Sequence, residues 1–150
     1  MDFFILTSDS KLFDFDKAQL DAINQENITR HGLLVHTDVS DYAGDMITFL
    51  TTIEIGRVKE GTADIAEPQR LMTFKGKTVF KLQTPELLTF GVTDRAVSVM
   101  ETMITLSQAH AYGAFNVTVR EMGILRLPME VSPVEKYLLD ITAFLTAHIQ

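Results

Sequence analysis

The side chains able to do chemistry are few and scattered. Four histidines, His31, His36, His110 and His148, fall in different predicted elements, and none shows the paired spacing of a metal site. His31 and His36 are five apart on one predicted strand, so they face opposite sides and cannot share an ion. His110 beside Tyr112 is better explained by an imidazole at a helix C-terminus. Ser8, Ser10, Ser40, Ser98, Ser107 and Ser132 lack the glycine frame of a nucleophile elbow. The pairs Asp14 with Asp16 and Asp38 with Asp41 belong to no recognisable calcium or acid-base loop, and read as solvated charge. Lys75-Gly76-Lys77 lacks the other positions of a phosphate loop and reads as the outer face of a strand. The chain has no cysteine, which removes disulfides, thiolate metal sites and cysteine nucleophiles. The expectation is binding without catalysis, with no metal and no cofactor.

Composition narrows the class of partner. At 150 residues the chain is expected to form one domain, and 46% apolar residues suffice for a packed core. The formal charge of -7 repels phosphate backbones, which argues against nucleic acid and for an apolar or basic partner. No apolar run reaches the roughly 20 residues of a membrane span. Phe3–Leu6 follows Asp2 without a basic flank, and the absence of cysteine suits a reducing compartment, so a cytoplasmic protein without membrane insertion is expected.

The elements that must position any surface follow from periodicity. The N-terminal segment is acidic, with Leu12, Phe13 and Phe15 as a short apolar anchor and Asp16 able to cap a brief helix to Asn24. From Ile28 to Val39, the alternation of Leu33, Val35, Thr37 and Val39 predicts a half-buried strand, with a turn at Asp41–Asp45. Met46–Val58 sets Ile47, Phe49, Ile53 and Ile55 on one face. After a loop at Lys59–Pro68, Met72, Phe74, Thr78, Phe80 and Leu82 alternate with Thr73 and lysines. Sequential strands of this kind form an antiparallel meander.

A helix is predicted to begin after Gly91, capped by Thr93 or Asp94, and to end near Tyr112 with Gly113 in the left-handed closing position. It is apolar over most of its circumference, through Val97, Met100, Ile104 and Ala111 and through Val99, Met103, Leu106 and His110. It should therefore be covered on two sides. Phe115, Val117 and Val119 then predict a fourth strand, with a bend at Gly123. Ser132, Pro133 and Glu135 predict the start of a closing amphipathic helix running through Tyr137, Ile141, Phe144 or Leu145, and His148. The expected fold is α+β: an antiparallel sheet of about four strands packed by a long apolar helix and a C-terminal amphipathic helix.

What remains is apolar surface. Seven methionines and ten phenylalanines concentrate around the passage from sheet to helix. Flexible thioethers and rings suit either an ordinary core or a surface for varied partners. The candidate polypeptide-binding or oligomer surface is Phe74, Phe80, Phe90, Val99, Met100, Met103, Leu106 and Phe115.

The order of strands, long helix, proline-containing passage and closing helix resembles the SecB family of export chaperones. Leu34–Val58 looks like that family's central hairpin, and Val79–Leu82, Leu87-Leu88 and Asp94-Arg95-Ala96 look like its strand-to-helix passage. Leu125-Arg126-Leu127-Pro128 is similar to its extended linker. The resemblance implies a cytosolic chaperone, commonly a dimer of dimers packed through helices and strand edges, that holds unfolded polypeptide in apolar grooves without hydrolysing nucleotide. The chain departs from that pattern in the strand expected at Ala114–Met122 and in lacking a metal-binding tail, which argues against delivery to the translocase motor. Two functions follow as expectations: a SecB-like chaperone or adaptor, general or dedicated to one client, or an assembly protein of an oligomeric particle. Both imply a homo-oligomer, dimer or tetramer.

Overall fold

The computed structural model describes residues 2–13, 31–58, 65–121 and 140–150. Four antiparallel strands, β1 (Phe3–Phe13), β2 (His31–Ala43), β3 (Met46–Val58) and β4 (Ile65–Leu82), form one sheet in the order β1-β4-β3-β2. The long helix α1 (Asp94–Glu121) lies on one face, joined by a short 3-10 turn at Pro85–Leu88, and a short helix α2 (Ile141–Ala147) follows. This is the expected α+β architecture.

The β2–β4 meander forms as the alternation predicts, but β2 runs to Ala43 into the turn expected at Asp41–Asp45, and β4 begins at Ile65 inside the loop expected at Lys59–Pro68. Ile47, Phe49, Ile53 and Ile55 of β3 and Met72, Phe74, Phe80 and Leu82 of β4 are buried against the helix. Ala43 pairs with Met46 across a tight turn in which Gly44 adopts φ +63, a conformation that glycine reaches without steric penalty. The fourth strand is not the predicted one. It is β1, which returns to pair with β4 from Phe3↔Leu82 to Phe13↔Thr73.

Residues 115–119, expected as a strand, continue α1 instead, so Gly113 lies inside the helix and His110 is an exposed mid-helix residue rather than a terminal one. The reason is packing. Ala111, Phe115 and Val119 are four apart and fall on one helical stripe, where they are 2%, 1% and 3% exposed. Burying each of the two larger side chains is worth roughly 1.5–3 kcal/mol, more than the ~1 kcal/mol that a mid-helix glycine costs. At the other end the prediction holds: Thr93 Oγ1 accepts from the Ala96 amide at 3.1 Å. The expected helix from Asp16 to Asn24, the bend at Gly123 and the capping box at Ser132 lie outside the described residues.

Beneath α1 the described core residues form two clusters rather than one. The first joins Ile47, Phe49, Phe80 and Leu82 to Leu87, Leu88, Ala96, Val99, Met100, Met103, Ile104 and Leu145. The second joins Val35, Ile53, Ile55, Met72 and Phe74 to Ala111, Phe115 and Val119. Between them the sheet register sets a row of small and polar residues, Ser10, Gly76, Thr51 and Thr37. Thr37 and Thr51 share a buried hydroxyl hydrogen bond of 2.9 Å. The helix answers with Ser107, Gln108 and Ala111. A Cβ on Gly76 would lie 2.8 Å from that of Ala111, so this glycine serves close helix-to-sheet contact.

Candidate functional site

The sequence-predicted surface residues are mostly interior. Phe80 packs edge-on to Phe3 and Phe49, with ring centroids 5.3 and 5.7 Å away, and Val99, Met100 and Met103 share its cluster. Phe74 and Phe115 face each other at 5.6 Å in the second cluster. Leu106 is a half-buried shoulder of the first cluster, and only Phe90, 71% exposed, stands in solvent. The eight residues are thus split between two clusters and a loop. A partner would reach the six buried ones only if α1 left the sheet.

Concave surface lies elsewhere, along the outer edge of β2, where no described strand pairs. There α2 stands beside residues 38–42 and leaves an open cleft of about 670 Å³ lined by Asp38, Val39, Ser40, Asp41, Tyr42, Asp140, Ala143, Phe144, Ala147 and His148. The helix is held in place by Leu145, fully buried in the first cluster, and by the Gln150 amide, which donates to the Thr89 carbonyl at 3.1 Å. Asp140 caps it, accepting from the Ala143 amide at 3.1 Å.

Three rings form the cleft's aromatic wall. Tyr42 lies 5.6 Å from Phe144 and 5.2 Å from His148, and Phe144 and His148 are 4.2 Å apart. The helical spacing of 144 and 148 stacks the last two, and both Tyr42 and Phe144 rest on the first cluster. His148 Nδ1 lies 2.7 Å from the Phe144 carbonyl oxygen, which can only accept, so Nδ1 is the protonated nitrogen. Burial pushes the Tyr42 hydroxyl above its ordinary pKa.

The rim is acidic. Among the described residues, Asp38, Asp41 and Asp140 line the cleft, and no lysine or arginine does. The cleft's long wall is backbone: β2 pairs with β3 on one side, and no other described strand lies on its outer side. An edge strand presents outward N–H and C=O groups at alternate residues, which another extended chain can engage. A bulge between Val39 and Asp41 interrupts the register within this stretch, and the Ser40 hydroxyl donates to the Thr48 carbonyl at 3.5 Å. With Ser40 and His148 Nδ1 both committed to backbone carbonyls, the arrangement offers recognition: backbone pairing, aromatic contact and attraction for positive charge.

Sequence reasoning missed this cleft although it placed Phe144 and His148 on the docking face of the last helix. Tyr42 was assigned to a turn. The signal was the apolar and aromatic spacing of α2, but its partner strand lies about a hundred residues earlier in the chain.

The opposite edge differs. β1 exposes Phe4, Ile5 and Leu6 in succession, at 40%, 37% and 44%, around a register shift between Ile5 and Thr7. Among the described residues no group of histidines and carboxylates has the arrangement of a metal site, and no helix is long and apolar enough to cross a membrane. Compared with protein-family models and with curated protein sequences, the chain matches none.

Proposed function

We propose that this protein is a SecB-like chaperone or adaptor that binds polypeptide in extended form, without catalysis. The observation that carries this reading is the edge of β2, on which no described strand lies, running along a cleft with aromatic and acidic walls. An extended segment adding to β2 gains main-chain hydrogen bonds, while Tyr42, Phe144 and His148 receive an apolar or aromatic side chain. Asp38, Asp41 and Asp140 favour a segment that also carries lysine or arginine. One departure from the family pattern falls away as well, because residues 114–121 are helical rather than an added strand. The cytoplasm is the compartment that suits a cysteine-free polypeptide binder of this charge.

The assembly-protein reading draws on the β1 edge. Three successive exposed apolar residues on an edge strand with no described strand on its outer side suit a second copy of the chain, so a dimer or tetramer built partly through β1 is proposed. Self-association at β1 leaves the β2 cleft open, and the two readings separate by whether unrelated unfolded chains bind.

The test uses a fluorescent peptide rich in aromatic and basic residues, with anisotropy as the readout, beside suppression of aggregation of an unrelated unfolded protein. Asp41→Lys changes an exposed carboxylate and should leave the melting temperature unchanged. It should weaken the basic peptide about tenfold, and a neutral analogue much less. A wild-type protein that binds no peptide and suppresses no aggregation would refute the reading.

A further inference from the structure

The last turns of α1 are fastened differently from the rest of it. Up to Ile104 the helix is embedded in the first cluster through five of its buried residues; from Ala111 onward three buried residues, Ala111, Phe115 and Val119, enter the second, with the half-buried Tyr112 and Ala114 packed beside them. The two stretches are separated by the polar row of Thr37, Thr51 and Gly76, where the Gln108 amide nitrogen is buried without a hydrogen-bond partner. That orphaned donor marks a weak place in the interior. Just beyond it comes Gly113, exposed and with open space where a Cβ would sit, and, past the single good helix former Ala114, the run Phe115, Asn116, Val117, Thr118 and Val119. No residue of that run is a strong helix former, and Val117 is 56% exposed. Local propensity here runs against the helix, which docking on the second cluster must offset.

We infer that residues 113–121 are a switch segment: the last turns of α1 undock together by pivoting at Gly113 over the Gly76–Ala111 contact, while the first cluster stays closed. Undocking uncovers Val35, Ile53, Ile55, Met72 and Phe74 on the sheet. Val35 lies on β2, the strand whose edge carries the cleft, so opening extends an apolar surface along that strand. The device is intrinsic to the chain and stands independently of what the cleft binds.

Because the chain has no cysteine, a single introduced thiol reports opening cleanly. Val119→Cys and Val99→Cys place thiols at sites 3% and 5% exposed, one in each cluster. Under native conditions the thiol at 119 should react with Ellman's reagent at least about tenfold faster than that at 99. Adding Gly113→Ala should slow reaction at 119 about fivefold and leave 99 unchanged. Hydrogen exchange of the unsubstituted protein provides the second readout: amides 113–119 should share one opening, whereas simple end fraying would give protection rising steadily inward. Equal thiol rates, a rate at 119 insensitive to Gly113→Ala, or graded exchange would overturn the inference.

Discussion

The two ends of the sheet-helix sandwich are built from the same materials and held with different firmness. At the first cluster, twelve buried residues among those described come from β3, β4, the 3-10 turn, α1 and α2, so several chain segments lock one another. At the second, eight buried residues among those described come from three strands and the last turns of a single helix. The cleft belongs to the firm end, since Val39, Tyr42 and Phe144 pack against the first cluster. The difference teaches how one small domain can keep a preformed recognition edge and still retain a segment free to move. Rigid placement of the rings lowers the ordering cost of binding, and loose placement of the helix end leaves apolar surface in reserve.

Substitutions can break this contrast. Phe80→Ala removes a fully buried ring that touches Phe3 and Phe49, and should destabilise the whole domain by about 3–5 kcal/mol in urea unfolding. Phe115→Ala removes a ring equally buried, but at the yielding end. Its cost is limited by how firmly the last turns dock, so the loss should be smaller by about 1–2 kcal/mol, with peptide binding at the cleft retained. Equal losses for the two rings would mean that the clusters form one cooperative core. Smaller than either is the stiffening by Gly113→Ala, worth up to ~1 kcal/mol, which should appear in the exchange of 113–119 before it is visible in the melting curve.

Much of the fold was legible in the sequence, for identifiable reasons. The β2–β4 meander announced itself because each strand has one face buried under α1, which imposes strict alternation. Thr93 could be read as a cap because capping is a local interaction. The strand β1 was not legible. Phe3–Leu6 does not alternate and Ser8–Lys11 is polar, as suits an edge strand whose partner β4 lies some seventy residues away. The strand-like spacing of Phe115, Val117 and Val119 misled for the opposite reason, because burial of 115 and 119 on the second cluster overrides a local preference. The candidate site was the least legible. Aromatic and methionine content drew attention to residues that prove to be core, while the cleft depends on α2 meeting the β2 edge, a juxtaposition that no local spacing encodes.

The central claim is that the β2 edge receives extended polypeptide, and it is tested most directly by amide hydrogen exchange with and without a saturating aromatic-basic peptide. Addition of a strand should slow exchange at alternate residues within 38–42 and leave Phe4–Leu6 of β1 unchanged. Protection that appears along β1 instead, or binding with no change at 38–42, would contradict the account.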